Sequence, residues 1–224
     1  MHYLYKALSV LLSYPQEAWV SQIGHIAQKL NENPQAQALA APLISHLSSN
    51  DLITLQENYV LTFDRNPAHA LHMFEHIHGE EKTRGQALID LQNEYQRFGF
   101  MHHAQELPDY LPLFLEFLAL IPTHDAHKLL DEAIHVIAHI GNKLKSIGSP
   151  YSGLFDLLQK LSTVKAQKLS EAPVHTMDEA LVTFSPDYGA AQALAPTFTG
   201  CRPCSPKTLQ QHPVHFMPKN TASL

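Results

Sequence analysis

The segment Tyr110–Ile121, YLPLFLEFLALI, is apolar on every side except at Pro112 and Glu116. A helix built from it has no face to offer to water, so other elements must surround it. It is also too short to cross a bilayer, which takes roughly 20 apolar residues. The chain must therefore supply a jacket of amphipathic helices around one central, buried helix. Its apolar spacing and breakers supply that jacket.

A first helix near His2–Ser13 stacks Leu4, Ala7, Leu8, Leu11 and Leu12 before meeting Tyr14-Pro15. A second, with Pro15 in its first turn, carries Trp19, Ile23, Ile26 and Leu30 on one face. Asn33-Pro34 caps and starts a third. Asn50 or Asp51 opens a fourth, whose face is Leu52, Leu55, Tyr59 and Phe63. Another helix carries Leu88, Leu91, Tyr95 and Phe98, and Asp109 is placed to cap the apolar helix, with Pro112 tolerated in its first turn. A long helix from Thr123 to Ile147 stops at Gly148, and Ser149-Pro150 starts the last. No strand pattern with hairpin turns is found. The expectation is an all-α, single-domain helical bundle of eight or nine helices over residues 1–170.

Seven of the 15 prolines fall from Pro173 onward, among scattered Ala, Thr and Ser with little periodicity. Residues 171–224 are therefore expected to form a flexible, disordered Pro-rich tail. The N-terminus lacks a basic start followed by an apolar stretch and a small-residue cleavage site, so no signal peptide is read. With two cysteines and no membrane span, the expected compartment is the cytoplasm.

Charge is unevenly spread. Ten acids face four bases between Glu57 and Glu116, so this stretch carries the whole net charge of −6. Such a field repels nucleic acid and anionic membrane, and favours a cationic partner.

The 16 histidines invite a metal reading. His124, His127, His135 and His139 fall on the polar arc of the Thr123–Ile147 helix, opposite Leu130, Ile137 and Leu144, which places them on a wet face. A di-metal carboxylate bundle needs two Glu-x-x-His helices. Glu132-x-x-His135 supplies one, and no second is found. His72 and His76, with Glu75 and His78, are a further candidate cluster by residue type. Cys201 and Cys204 precede His212 and His215 at spacings that do not match a zinc finger. A His-rich metal-binding helical bundle is one reading of these residues. No catalytic triad order, phosphate loop or dinucleotide fingerprint occurs, so the chain is not read as an enzyme.

Four stretches together carry a resemblance, and with it the stronger reading. They are Glu57-Asn-Tyr-Val-Leu-Thr-Phe-Asp64, Met73-Phe-Glu-His-Ile-His-Gly-Glu80, Arg84-Gly-Gln-Ala87 and Glu106-Leu-Pro-Asp-Tyr-Leu-Pro-Leu-Phe-Leu-Glu-Phe117. In this order they resemble the nitrate reductase molybdenum-cofactor assembly chaperones, of the wider twin-arginine molybdoenzyme chaperone family. The ending Pro213-Val-His-Phe-Met-Pro218 is similar to the family's tail.

The resemblance implies a protein that binds the N-terminal, remnant twin-arginine leader segment of the apo catalytic (alpha) subunit of nitrate reductase. It would hold that subunit for molybdenum cofactor and iron–sulfur insertion and for membrane assembly. It would bind no cofactor permanently and meet the inner face of the membrane only transiently, through its partner. Carried onto this chain, the peptide site comprises Phe74, Glu75, His76, His78, Gly79, Glu80, Arg84, Gly85, Glu106, Pro108, Asp109 and Tyr110. Glu116 is added because a carboxylate inside an apolar helix needs a partner or a polar cavity. Many relatives have His where this chain has Tyr110, which puts a proton-switching role at that position in doubt. An apolar groove with acidic lips suits a basic amphipathic helix.

Overall fold

The computed structural model describes residues 2–77, 81–101, 106–169 and 217–218. Expectations placed on His78, Gly79, Glu80, Cys201, Cys204, His212, His215 and most of the tail lie outside the described residues.

Nine α-helices occur among these residues: α1 (His2–Leu11), α2 (Glu17–Val20), α3 (Ile23–Leu30), α4 (Pro34–Ser49), α5 (Leu52–Tyr59), α6 (Glu81–Arg97), α7 (Leu111–Leu120), α8 (Thr123–Ser146) and α9 (Ser152–Leu161). A π-helical turn, Val60–Asp64, continues α5, and two 3-10 turns follow at Pro67–His69 and Met73–His76. The architecture is all-α, as expected. The only strands described are β1 (Phe100–Met101) and β2 (Met217–Pro218), an antiparallel pair with Phe100 opposite Pro218. Sequence periodicity cannot show so short a pairing.

The apolar helix is α7, and it is central. Leu111, Leu113, Phe114, Leu115, Phe117 and Leu118 are all buried. Phe117 is ringed by Tyr95, Phe98 and Phe100, with centroids 4.4, 5.7 and 5.7 Å away. Glu116 is half-buried, and its carboxylate pairs with Lys6 of α1. The cost of holding a charge in this apolar helix is thus offset across the α1–α7 contact.

Local signals behave as the residues dictate. Asn33 accepts from the backbone N–H groups of Gln35 and Ala36, and Asp51 accepts from Thr54 N at 3.0 Å. Leu55, Tyr59 and Phe63 form the buried stripe of α5 and its π-turn. At the end of α8, Gly148 takes φ +67°, with Gly148 N bonded to Lys145 O and Ser149 N to Leu144 O. That is a Schellman stop, which needs a left-handed residue.

Three expectations change. The second helix is two pieces, α2 and α3, broken at Ser21-Gln22, and only Leu30 of its apolar face is buried. Short helices with a half-exposed stripe are held by contacts rather than by propensity. Asp109 does not cap the apolar helix, because Tyr110 holds that position and makes no side-chain cap bond. The α8 histidines are not all on a wet face. His135 accepts from Gln167 N at 3.0 Å, and the His139 ring lies 5.8 Å from that of His76. Segments distant in sequence cover part of the polar arc of α8, while His124 stays exposed.

Candidate functional site

Asp109 is completely buried and holds together two stretches of the chain that the sequence singled out. Its Oδ2 accepts from Phe74 N at 2.9 Å, and Oδ1 lies 3.4 Å from His72 Nδ1. Its carbonyl accepts from Met73 N, and Leu111 N donates to Leu71 O at 2.9 Å. His72 and Tyr110 form an antiparallel bridge. The carboxylate thus caps the Met73–His76 turn, doing for that 3-10 turn what it was expected to do for α7.

Around this latch the other expected site residues take separate stations. Pro108 is buried, and its carbonyl accepts from Tyr95 Oη at 2.6 Å. The Tyr110 hydroxyl bonds that of Tyr59 at 2.9 Å, and Tyr59 Oη donates to Leu12 O. Arg84 Nη2 donates to Glu75 Oε1 at 2.9 Å, tying α6 to the turn. His76 donates from Nε2 to Ala70 O at 2.8 Å. Phe74, Gly85 and Glu106 are half-buried near the surface. Glu116 stands apart, on the α1 side of α7, with Lys6. The expected set is therefore a buried latch with a few exposed members.

The histidines of this region divide by environment. Hydrogen bonding to Asp109 raises the pKa of His72 above its usual value. Burial lowers those of His69 and His76, and the nearby His139 lowers His76 further. His76 Nδ1 has no hydrogen-bond partner, as fits a neutral ring whose proton sits on Nε2.

These shifts fix a sign. His69 and His76 contribute stability that is present above about pH 6.5 and lost as pH falls through their lowered folded values. His72 works oppositely: its contribution is full below about pH 6.5 and lost as pH rises through its raised value. The His76 contribution therefore lowers the urea midpoint as pH falls from 7 to 5.5. A His76→Gln chain should show a flatter fall. Parallel curves for the two chains would remove His76 from the effect.

Beside the latch lies an open groove of about 440 Å³, lined by Tyr14, Ile53, Gln56, Glu57, Val60, Leu61 and Arg65. Ile53 is 68% exposed and Leu61 57%. They stand on one face of α5 and its π-turn, while Leu55, Tyr59 and Phe63 hold the other face in the core. The π-turn adds a residue to the helix, a distortion found often at functional sites. The groove's supporting helix is joined to the latch through the Tyr59–Tyr110 hydroxyl pair. Asp64, at the end of the π-turn, is exposed as a residue, yet partial desolvation of its carboxyl raises its pKa. None of the groove lining was among the expected site residues, although Glu57, Val60 and Leu61 lie in the first motif stretch. The unexplained apolar pair Ile53 and Leu61, eight residues apart on the polar side of α5, was the available signal.

Among the described residues no group of three or more His, Cys, Asp or Glu side chains is placed to hold a metal. His72 turns to Asp109 and His76 to Ala70, so the candidate cluster is directed at different partners. No helix among the described residues is long and apolar enough to cross a membrane.

Comparison with known proteins agrees with this architecture. The crystal structure of a protein described as a putative redox enzyme maturation protein from Archaeoglobus fulgidus superposes with a TM-score of 0.55 at 21% identity, over 71% of this chain and 92% of that one. That likeness concerns the fold. In sequence, the chain is 36% identical over 170 residues to the nitrate reductase molybdenum cofactor assembly chaperone NarJ of Escherichia coli (strain K12), covering 73% of this chain and 72% of the relative. A Bacillus subtilis (strain 168) relative of like name is 31% identical over 69% of this chain and 85% of its own length. These relatives are named as chaperones and not as catalysts. The nitrate reductase delta subunit family model matches residues 29–156, which take in α4 to α8, the latch and all of the groove lining but Tyr14, and the chain belongs to that family.

Proposed function

We propose that this protein is a dedicated maturation chaperone that seats the N-terminal leader segment of the apo catalytic subunit of nitrate reductase in the α5 groove. It holds the subunit while molybdenum cofactor and iron–sulfur centres are inserted, and takes no part in the finished enzyme. The observation that carries this reading is the exposed apolar pair Ile53 and Leu61 in a groove that also presents Glu57.

A remnant twin-arginine leader is a basic amphipathic helix. Its apolar face needs a groove, and its cations need carboxylates at the rim. Glu57 lines the groove, which also holds Arg65, and Asp64 ends the supporting π-turn, within the stretch that carries the chain's whole net charge. Asp109, Pro108 and Tyr110 serve this seat as framework, by fixing the Met73–His76 turn and the Tyr59 hydroxyl. The exposed Glu75 adds acid to the surface nearby.

Calorimetry with a synthetic peptide of the first residues of the cognate catalytic subunit tests the seat. Leu61→Asp removes roughly 1.5–3 kcal/mol of apolar burial and should weaken binding at least tenfold. Glu57→Lys should weaken it through charge repulsion, with steeper loss at low salt. Unchanged affinity in both Leu61→Asp and Ile53→Asp would reject the groove. Loss in Glu75→Lys alone would move the seat to the Met73–His76 turn.

A further inference from the structure

The groove on α5 is built on a stripe of every fourth residue: Ile53, Glu57, Leu61 and Arg65 all line it. A continuous α-helix would not keep them together. Each step of four residues drifts by about 40°, so Arg65 would stand about 120° round from Ile53. The π-helical turn Val60–Asp64 takes up one extra residue, and Arg65 N donates to Val60 O at 3.0 Å. That extra residue turns the stripe back by about 100°. The π-turn therefore brings Arg65 into line with Ile53, Glu57 and Leu61.

Two opposite charges thus stand at different levels of one apolar groove. Glu57 follows Ile53 by one helical turn, and Arg65 closes the π-turn beyond Leu61. Both residues are exposed, and neither joins an ion pair among the described residues. Along the axis they are about 12 Å apart, roughly two turns of a guest helix.

We propose that this pair sets the direction of the bound helix: the guest runs parallel to α5, its N-terminal end toward Ile53 and Glu57 and its last turn at Arg65. The inference rests on the groove being the leader seat. An N-terminal segment begins with an α-ammonium, and the free N–H groups of a helix's first turn add about half a positive charge. Glu57 attracts that end and Arg65 repels it. The guest's last carbonyls carry the opposite partial charge, and the N–H fork of the guanidinium can donate to them or to a carboxylate in the same turn. Ile53 and Leu61 accept an apolar face in either direction, so the charges decide. Reversed, the guest would press its ammonium and basic residues on Arg65 and leave Glu57 beside its carbonyl end.

Amide NMR of the full-length chain tests the direction. The probe is a synthetic peptide of the first residues of the cognate catalytic subunit, amidated at its C-terminus and nitroxide-labelled through a cysteine placed near one end or the other. The N-terminal label should broaden the amides of Ile53 and Thr54, and the C-terminal label those of Arg65 and Asn66. The opposite pattern would overturn the proposal and leave the seat standing. Broadening at neither end of the groove would remove the seat itself, and the direction with it. Arg65→Gln changes an exposed side chain and should weaken binding about threefold, the worth of one charge at a helix end. Tighter binding by that variant would mean that Arg65 holds no part of the guest, and would overturn its role. In the double variant Glu57→Arg, Arg65→Glu the two labels should exchange their targets. An unchanged pattern there would show that these charges do not set the direction.

Discussion

Replacing Asp109 with alanine is expected to destabilise the protein by about 3 kcal/mol, more than any surface change in the acidic stretch. The carboxylate is completely buried and caps Phe74 N across 35 residues of chain. Alanine leaves that N–H without a partner and opens a void beside His72. For a folded unit of this size, about 3 kcal/mol corresponds to roughly 6–12 °C in Tm. Asp109→Lys should do worse, because it buries an ammonium in a closed site where nothing compensates it. Asp109→Asn separates framework from recognition. It keeps an acceptor for Phe74 N and the side chain's size, so it should fold with a modest loss and still bind the leader peptide. Thermal melts with peptide titrations on all three chains check this. A stable Asp109→Asn protein that no longer binds peptide would make the charge itself part of the binding site.

The α4–α9 crossing offers the second large effect. A Cβ built on Gly153 would sit 2.0 Å from the backbone carbonyl oxygen of Leu39. That oxygen belongs to a helix and cannot rotate away. Gly153→Ala should therefore cost about 3 kcal/mol, the upper part of the usual overpacking range. Helix propensity alone would make the same change favourable by up to about 1 kcal/mol. The sign of the change measured in a urea melt thus decides which term rules: a stabilised variant would mean that α9 shifts away from α4 at little cost. Gly141 is the milder companion, since its added Cβ would meet the side chain of Phe155 at 2.5 Å.

What could be read from the residues alone was local. The cap at Asn33, the cap at Asn50 or Asp51, the stop at Gly148 and the stripe Leu55–Tyr59–Phe63 each depend on neighbours within about one or two helical turns. The burial of α7 followed from composition, because a helix with no polar face has one place to go. The four motif stretches were likewise legible, and they pointed to the right family.

Tertiary structure decided the rest. Asp109 precedes a helix that starts with a leucine and a proline, and the local rule makes it a cap there. Only the approach of Phe74 from 35 residues away gives it another donor. His135 and His139 lie on the polar arc of α8, but whether that arc meets water depends on the segment at Gln167 and on the turn at His76. Ile53 and Leu61 stand out in sequence as apolar residues off the buried stripe of α5, but their exposure is known only once nothing described is seen to cover that face. A cap, a stripe or a stop is set by the residues of its own helix. A latch or a groove is set by the chain that arrives from elsewhere, and spacing along the sequence does not encode that arrival.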